Sequence, residues 1–289
     1  MKYFQILNPV AGKGEASQVE TNNKDVTVYY SKGIGDAEEY TYIQCLENEG
    51  ELLFIVCGGD GTVNEVVNGI MRANAGNRAA FKIIPVGTGN DFVRNFNSEN
   101  NEHIIDLIKC NNRYCVNMVN IGFDCDVVEK VNALNNSVFH GSAAYILGVV
   151  KILLGKLGKN FNIEYTDEND EVHNLDGVFL LTAIGNGSYC GGGFKACPLA
   201  KYDDGLLDMI AVRKISRAKF VKMVGAYRSG EYIDTIKCEP IDSYKSFLTF
   251  SKIKKYKITG TNTVCLDGEI HYFNSCEIEV AEKAIKYVD

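Results

Sequence analysis

The run from Leu52 to Gly69, LLFIVCGGDGTVNEVVNG, narrows the fold more than any other stretch of the chain. Leu52 to Val56 is a short apolar block without alternation, the pattern of a strand covered on both faces. Val63, Val66, Val67 and Ile70 then recur at helical spacing. The glycines between must turn a buried strand into a helix, with backbone that a ligand can approach closely. The first N–H groups of the helix face that turn and form an anion site. Asp60 places a carboxylate inside the same phosphate-sized nest, and two anions need a cation such as Mg²⁺, or water held by it, between them. The spacing is not that of the dinucleotide fingerprint, and no Gly-Lys-Ser/Thr follows to make a P-loop.

The same strand–loop–helix unit recurs. Residues 3–7 and 25–30 read as strands, and Asp36 reads as the N-cap of a helix running to about Glu49. Phe81 to Pro85 reads as a further strand before Val86-Gly87-Thr88-Gly89-Asn90-Asp91. Repeated units of this kind make a parallel sheet. The loops at 8–14, 31–36, 58–65 and 85–91 all follow strands, so all four converge on its carboxyl edge, where such sheets bind ligands.

Near residue 113 the character changes. Tyr114 to Phe123 is β-rich, helices are expected at 127–138 and 142–157, and short strands follow at 161–166, 177–184, 206–212, 247–250, 256–258, 264–266 and 276–280. Ser216 to Tyr227 reads as an amphipathic helix. The chain therefore divides into an α/β unit over 1–112 and a mainly antiparallel β unit over 113–289, with the last few residues able to return to the first. A length of 289 residues fits two cores.

A net charge of −7 disfavours nucleic acid and strong attraction to anionic membranes. The 10 cysteines show no Cys-x-x-Cys spacing and read as reduced core thiols of a cytoplasmic protein. No run reaches the length of a transmembrane helix. The 143–157 segment is expected to dock on the protein rather than lie on a bilayer. The four histidines show no ligand spacing.

Two acidic patches carry candidate chemistry in the second half. Asp203-Asp204-Gly205 could hold a metal with backbone carbonyls, or could be plain turn chemistry. Asp267-Gly268-Glu269 could supply a general base and a second carboxylate that orients it, or could be a two-residue hairpin turn.

Six segments in order, NPVAGKG at 8–14, SKGIGDA at 31–37, GGDGTVNEVVNG at 58–69, PVGTGNDFVR at 85–94, YDDGLLD at 202–208 and LDGE at 266–269, resemble the diacylglycerol kinase catalytic-domain family, in particular the bacterial soluble lipid kinases related to sphingosine kinases. The resemblance covers nearly the whole chain. It implies a Rossmann-like α/β nucleotide-binding domain followed by a C-terminal β-sandwich, with the active site in the cleft between them. It also implies that Asn8, Pro9, Val10, Ala11, Gly12, Ser31, Gly59, Asp60, Gly61, Thr62, Val63, Asn64, Glu65 and Thr88 contact ATP. Asp60 and Asp91 would organise nucleotide-bound Mg²⁺. The Asp204 carboxylate and the Lys201 and Leu206 carbonyls would hold a structural Mg²⁺, and Asp267 or Glu269 would be the proton acceptor. Lys13, Arg94 and Asp106 recur as a set that would link the nucleotide loop to the domain junction or to a homodimer contact.

The expected activity is ATP- and Mg²⁺-dependent phosphorylation of a lipid hydroxyl, with diacylglycerol converted to phosphatidic acid in phospholipid metabolism. Membrane contact would be peripheral and transient, at the inner face. Phe194 and the 143–157 helix would line an apolar trough for the lipid. The alternatives are a sphingosine-type or other lipid acceptor, an NAD kinase sharing the glycine loop, and a catalytically silent lipid-binding protein.

Overall fold

A computed structural model describes residues 1–87, 89–96, 101–135 and 157–289. The first half holds four parallel strands, β1 (Lys2–Leu7), β2 (Val26–Tyr30), β3 (Leu52–Gly58) and β4 (Ala79–Pro85), in the order β2-β1-β3-β4. Helices α1 (Asp36–Glu47) and α2 (Asp60–Arg72) are the crossovers. Phe4, Phe54, Val63, Val66, Val67, Ile70 and Phe81 form the core beneath α2, so the helical spacing of the valines is what seals the sheet. The segment after β1 is a 3₁₀ stretch over Ala11–Val19. The expected cap at Asp36 is displaced by one residue. Gly35 takes that position at φ 82°, which favours glycine, while Asp36 Oδ2 accepts from the Lys32 N–H and the Tyr29 hydroxyl.

The second half begins with β5 (Glu102–Cys110), β6 (Arg113–Cys115) and β7 (Met118–Gly122), followed by α3 (Phe123–Asn135). Then come β8 (Lys159–Asp167), β9 (Val172–Gly185), β10 (Leu207–Arg213) and α4 (Arg217–Ser229). A small pair, β11 (Ile233–Asp234) and β12 (Glu239–Pro240), precedes β13 (Leu248–Thr259), β14 (Thr263–Leu266), β15 (Glu269–Tyr272) and β16 (Cys276–Val288). Helix α3 starts at Phe123, earlier than its apolar pattern suggests. The expected 142–157 helix lies almost wholly outside the described residues.

The long strands change partners along their length. β9 pairs with β8 over its first half and with β10 and β7 over its second, and β13 pairs with β10, β8 and β16. This folds the sheet over a core of Val119, Ile121, Phe161, Phe179, Met209 and Tyr256. The expected strands at 247–250 and 256–258 are one strand, irregular between Ile253 and Lys255. Strand β5 has no counterpart in the sequence reading, because Asp106 interrupts its apolar run. That carboxylate is buried and accepts the Gly205 and Lys283 N–H groups, at 2.8 and 2.7 Å. β16 pairs antiparallel with β5 and β13, and its last residues lie parallel to β4. The other face of this half of the sheet is covered by α3 and α4, through Phe123, Phe220, Met223 and Tyr227.

Candidate active site

Asp60 opens α2, immediately beyond β3. Its Oδ1 accepts the Asp91 N–H at 3.1 Å, which ties the 58–65 loop to the 85–91 loop. The glycines allow this approach. A Cβ on Gly87 would stand 2.6 Å from Gly59 Cα, and one on Gly89 would stand 2.7 Å from Asp60 Oδ2. Burial, then the charges of Asp91 and Asp267, push the Asp60 carboxyl up to about 6. Asp91 is also buried. Its Oδ2 accepts the Gly192 N–H at 2.8 Å, and its Oδ1 has no hydrogen bond, the Arg94 guanidinium standing 3.5 Å away. Two crowded carboxylates, one with an oxygen to spare, form a donor set that fits Mg²⁺.

The Asp267-Gly268 pair makes the tight turn between β14 and β15, with φ of 46° and 92° and Leu266 paired with Glu269. The two carboxylates of this hairpin differ. Asp267 Oδ2 accepts from Asn64 Nδ2 and the Val116 N–H, at 2.8 and 2.7 Å. Its Oδ1 accepts from the Asn117 and Met118 N–H groups and the Cys115 thiol. Both oxygens are committed to holding the β6–β7 turn against α2. Glu269 is exposed and reaches the glycine loop, since a Cβ on Gly61 would lie 2.9 Å from its Oε1.

Two adjoining cavities meet here. The smaller, about 270 Å³, is lined by Asn8, Pro9, Val10, Ser31, Gly61, Thr62, Glu65 and Glu269 among others. The larger, about 840 Å³, shares Asn8, Val10, Gly61, Thr62 and Glu269, adds Ala11, Gly12, Gly59, Asp60, Asp91 and Asp267, and continues along the apolar wall under α3 and α4 past Phe194. Asn8 Nδ2 donates to Thr62 Oγ1 at 3.1 Å, joining the first loop to α2.

Three of the residues expected at the nucleotide have side chains with other partners. Val63 lies in the core. Asn64 bonds Asp267 and the Tyr114 carbonyl. Glu65 accepts the Gly35 and Ala37 N–H groups, which fastens the start of α1. Thr88 lies outside the described residues.

Lys201, Asp204 and Leu206 line neither cavity. Asp204 Oδ1 accepts the Leu206 N–H at 3.2 Å, and its Oδ2 accepts from Lys252 Nζ at 2.8 Å. Lys252 also reaches the fully buried Asp208, at 3.1 Å. The Asp204 carboxylate thus already holds a cation, and a divalent ion on it would have to displace the ammonium. Asp208 Oδ2 has no hydrogen-bond partner among the described residues, so one ammonium faces two carboxylates here.

Sequence reasoning passed over Asn120, Asp124 and Tyr227, which also line the larger cavity. Asp124 reads locally as an ordinary acid in a first helical turn, and Tyr227 as a core residue of an amphipathic helix.

The cleft thus joins a glycine-rich nest on a parallel sheet, two crowded carboxylates and the exposed Glu269 to an apolar trough. Residues 2–120 match the diacylglycerol kinase catalytic domain, and residues 117–270 match the YegS C-terminal NAD kinase beta sandwich-like domain. A diacylglycerol kinase of Staphylococcus epidermidis is 32% identical over 247 residues, covering 78% of this chain and 75% of its own. One from Staphylococcus saprophyticus is 30% identical, covering 78% of each. The crystal structure of a diacylglycerol kinase from Bacillus anthracis superposes with a TM-score of 0.71 at 26% identity, covering 99% of this chain and 96% of that one. The chain belongs to the diacylglycerol kinase-like lipid kinase family. Among the described residues no helix is long and apolar enough to cross a membrane.

Proposed function

We propose that the protein transfers the γ-phosphoryl group of ATP to the primary hydroxyl of a lipid, with diacylglycerol the first acceptor to test. The position of Glu269 carries this reading: it lines both cavities, so it stands where a nucleotide on one side would meet an alcohol on the other. A lipid hydroxyl holds its proton far too tightly to ionise at neutral pH. Glu269 takes that proton as the new P–O bond forms, while Asp267, with both oxygens engaged, positions the hairpin that carries it. The nest at the start of α2 binds the phosphates and aligns them with the acceptor. Asp60 and Asp91 would hold Mg²⁺, which when bound neutralises phosphate charge. Residues 1–112 act as the nucleotide unit and 113–289 as the acceptor unit. The apolar trough takes up the acyl chains from a membrane surface that the protein touches peripherally. In the YDDG loop we read Lys252 as the cation in place of a structural Mg²⁺.

The test is phosphate transfer from γ-labelled ATP with Mg²⁺, offering diacylglycerol, sphingosine, a polyprenol and NAD separately. Label in phosphatidic acid, lost in Glu269→Gln, is the expected result. Label on NAD alone would overturn the lipid reading.

A further inference from the structure

The larger cavity is not uniformly apolar beyond the nucleotide loops. Its inner wall is built from Phe123, Val127, Leu181, Phe220, Met223 and Val224. Into this wall α3, β7 and α4 carry three polar side chains, Asp124, Asn120 and Tyr227. Asp124 Oδ2, Asn120 Oδ1 and the Tyr227 hydroxyl are sealed from solvent, and none has a hydrogen-bond partner among the described residues. Tyr227 is only 8% exposed and Asn120 7%. Leaving one such group unsatisfied costs on the order of 1–3 kcal/mol. Three such groups in one apolar wall call for partners, which the polar groups of a bound ligand can supply.

The ligand's chemistry follows from what the wall lacks. No Lys, Arg or His lines this cavity among the described residues, so a phosphate or a free fatty carboxylate would find no counter-charge. The described lining carries acids instead, so the group to be matched is not an anion, and beside a neutral Asp124 it is an uncharged one. Resting on the lipid-kinase reading, we propose that Tyr227 and Asp124, the latter as its neutral acid, donate hydrogen bonds to the ester carbonyls of a diacylglycerol acceptor, with the Asn120 amide completing the polar station. These residues would tell an esterified glycerol from an ether lipid or a long-chain amine, while the reacting hydroxyl lies beside Glu269. Burial, then the charge of Asp126, pushes the Asp124 carboxyl up to about 6, which brings its neutral form within easier reach. Acyl chains that expel water from the trough push it in the same direction.

The experiment compares a diacylglycerol with the dialkylglycerol of equal chain length, which keeps the hydroxyl and tails but lacks both carbonyls. Phosphoryl transfer is read as kcat/KM in mixed micelles, with KM and kcat resolved, and lipid binding is measured separately by calorimetry without ATP. The wild-type protein should prefer the ester by about tenfold or more, the effect of one to two hydrogen bonds. In Tyr227→Phe and Asp124→Leu the ester-to-ether ratio should fall towards one, mainly through KM. Asp124→Asn, which keeps a donor, should retain the preference. A ratio near one in the wild type would overturn the proposal while leaving the kinase reading intact. So would an equal loss with both lipids in the variants, the sign of a packing or water-filled role. A long-chain amino alcohol that outcompetes the ester and depends on the Asp124 charge would replace the station with an ammonium site. Absence of transfer to every lipid, together with calorimetric binding that ignores the carbonyls, would overturn both readings. Carbonyl-dependent binding without transfer would overturn the kinase reading alone.

Discussion

The cleft carboxylates and the Asp204 loop are both acidic clusters beside glycine turns, yet the basic residue beside each sits differently. In the cleft, Asp60, Asp91 and Glu269 converge from three loops, and Arg94 stands 3.5 Å from one Asp91 oxygen. At the Asp204 loop, strand β13 brings Lys252 to within 2.8 Å of Asp204 and 3.1 Å of Asp208. The first crowds Asp60 against Asp91 and leaves one Asp91 oxygen without a hydrogen bond, the arrangement we propose for Mg²⁺. At the other, the chain itself supplies one ammonium for two carboxylates.

The largest effect should come from Asp60→Asn. Losing one of the two carboxylates proposed to hold Mg²⁺ should lower kcat by about a thousandfold or more. The same substitution removes a carboxyl whose burial opposes its charge, so the melting temperature of the free protein should rise. A variant that loses both activity and stability would show that the acid is structural, and the contrast with the second cluster would fail.

Next in size is Glu269→Gln, which should reduce kcat by about 10²- to 10⁴-fold with little change in melting temperature. Asp267→Ala should instead destabilise by about 3 kcal/mol, because three backbone N–H groups lose their acceptor. Equal behaviour of the two variants in thermal denaturation and in kinetics would erase the division of labour within the hairpin.

Lys252→Met should cost about 3 kcal/mol, as when one partner of a buried pair is removed. Chelation of divalent ions should leave the melting temperature of the wild-type protein unchanged. A drop on chelation, reversed by Mg²⁺, would return the Asp204 loop to the class of metal sites.

The smallest effect is on pH. Burial raises Asp60, Asp124 and Asp208 to about 6 in the folded chain, against an ordinary value of 3.8. The folded state therefore binds more protons than the unfolded state between these values. The contribution of these groups to stability is complete below about pH 4 and is lost as pH rises through about 6. The melting temperature of the ligand-free protein, once other titrations are matched by comparison with Asp60→Asn, should fall from about pH 5 to about pH 7 more steeply in the wild type. An equal slope in the variant would mean that Asp60 titrates normally.

The residue pattern by itself determined the parallel half and its loops. An unbroken apolar run, a glycine turn and valines at helical spacing leave a chain few alternatives, because burial on both faces, positive φ and an amphipathic stripe are local requirements. The Asp267-Gly268 hairpin was legible for the same reason. Tertiary structure decided the rest. Which hairpin carboxylate is free depends on Asn64 and on the N–H groups of residues 116–118, about 150 or more positions away. The strand at β5 and the pairing of Lys252 with Asp208 rest on polar groups satisfied by distant partners. The polar wall at Asn120, Asp124 and Tyr227 exists only because β7, α3 and α4 enclose one cavity. Periodicity reports which face of an element is buried, but whether a buried polar group has a partner is a property of the assembled neighbours.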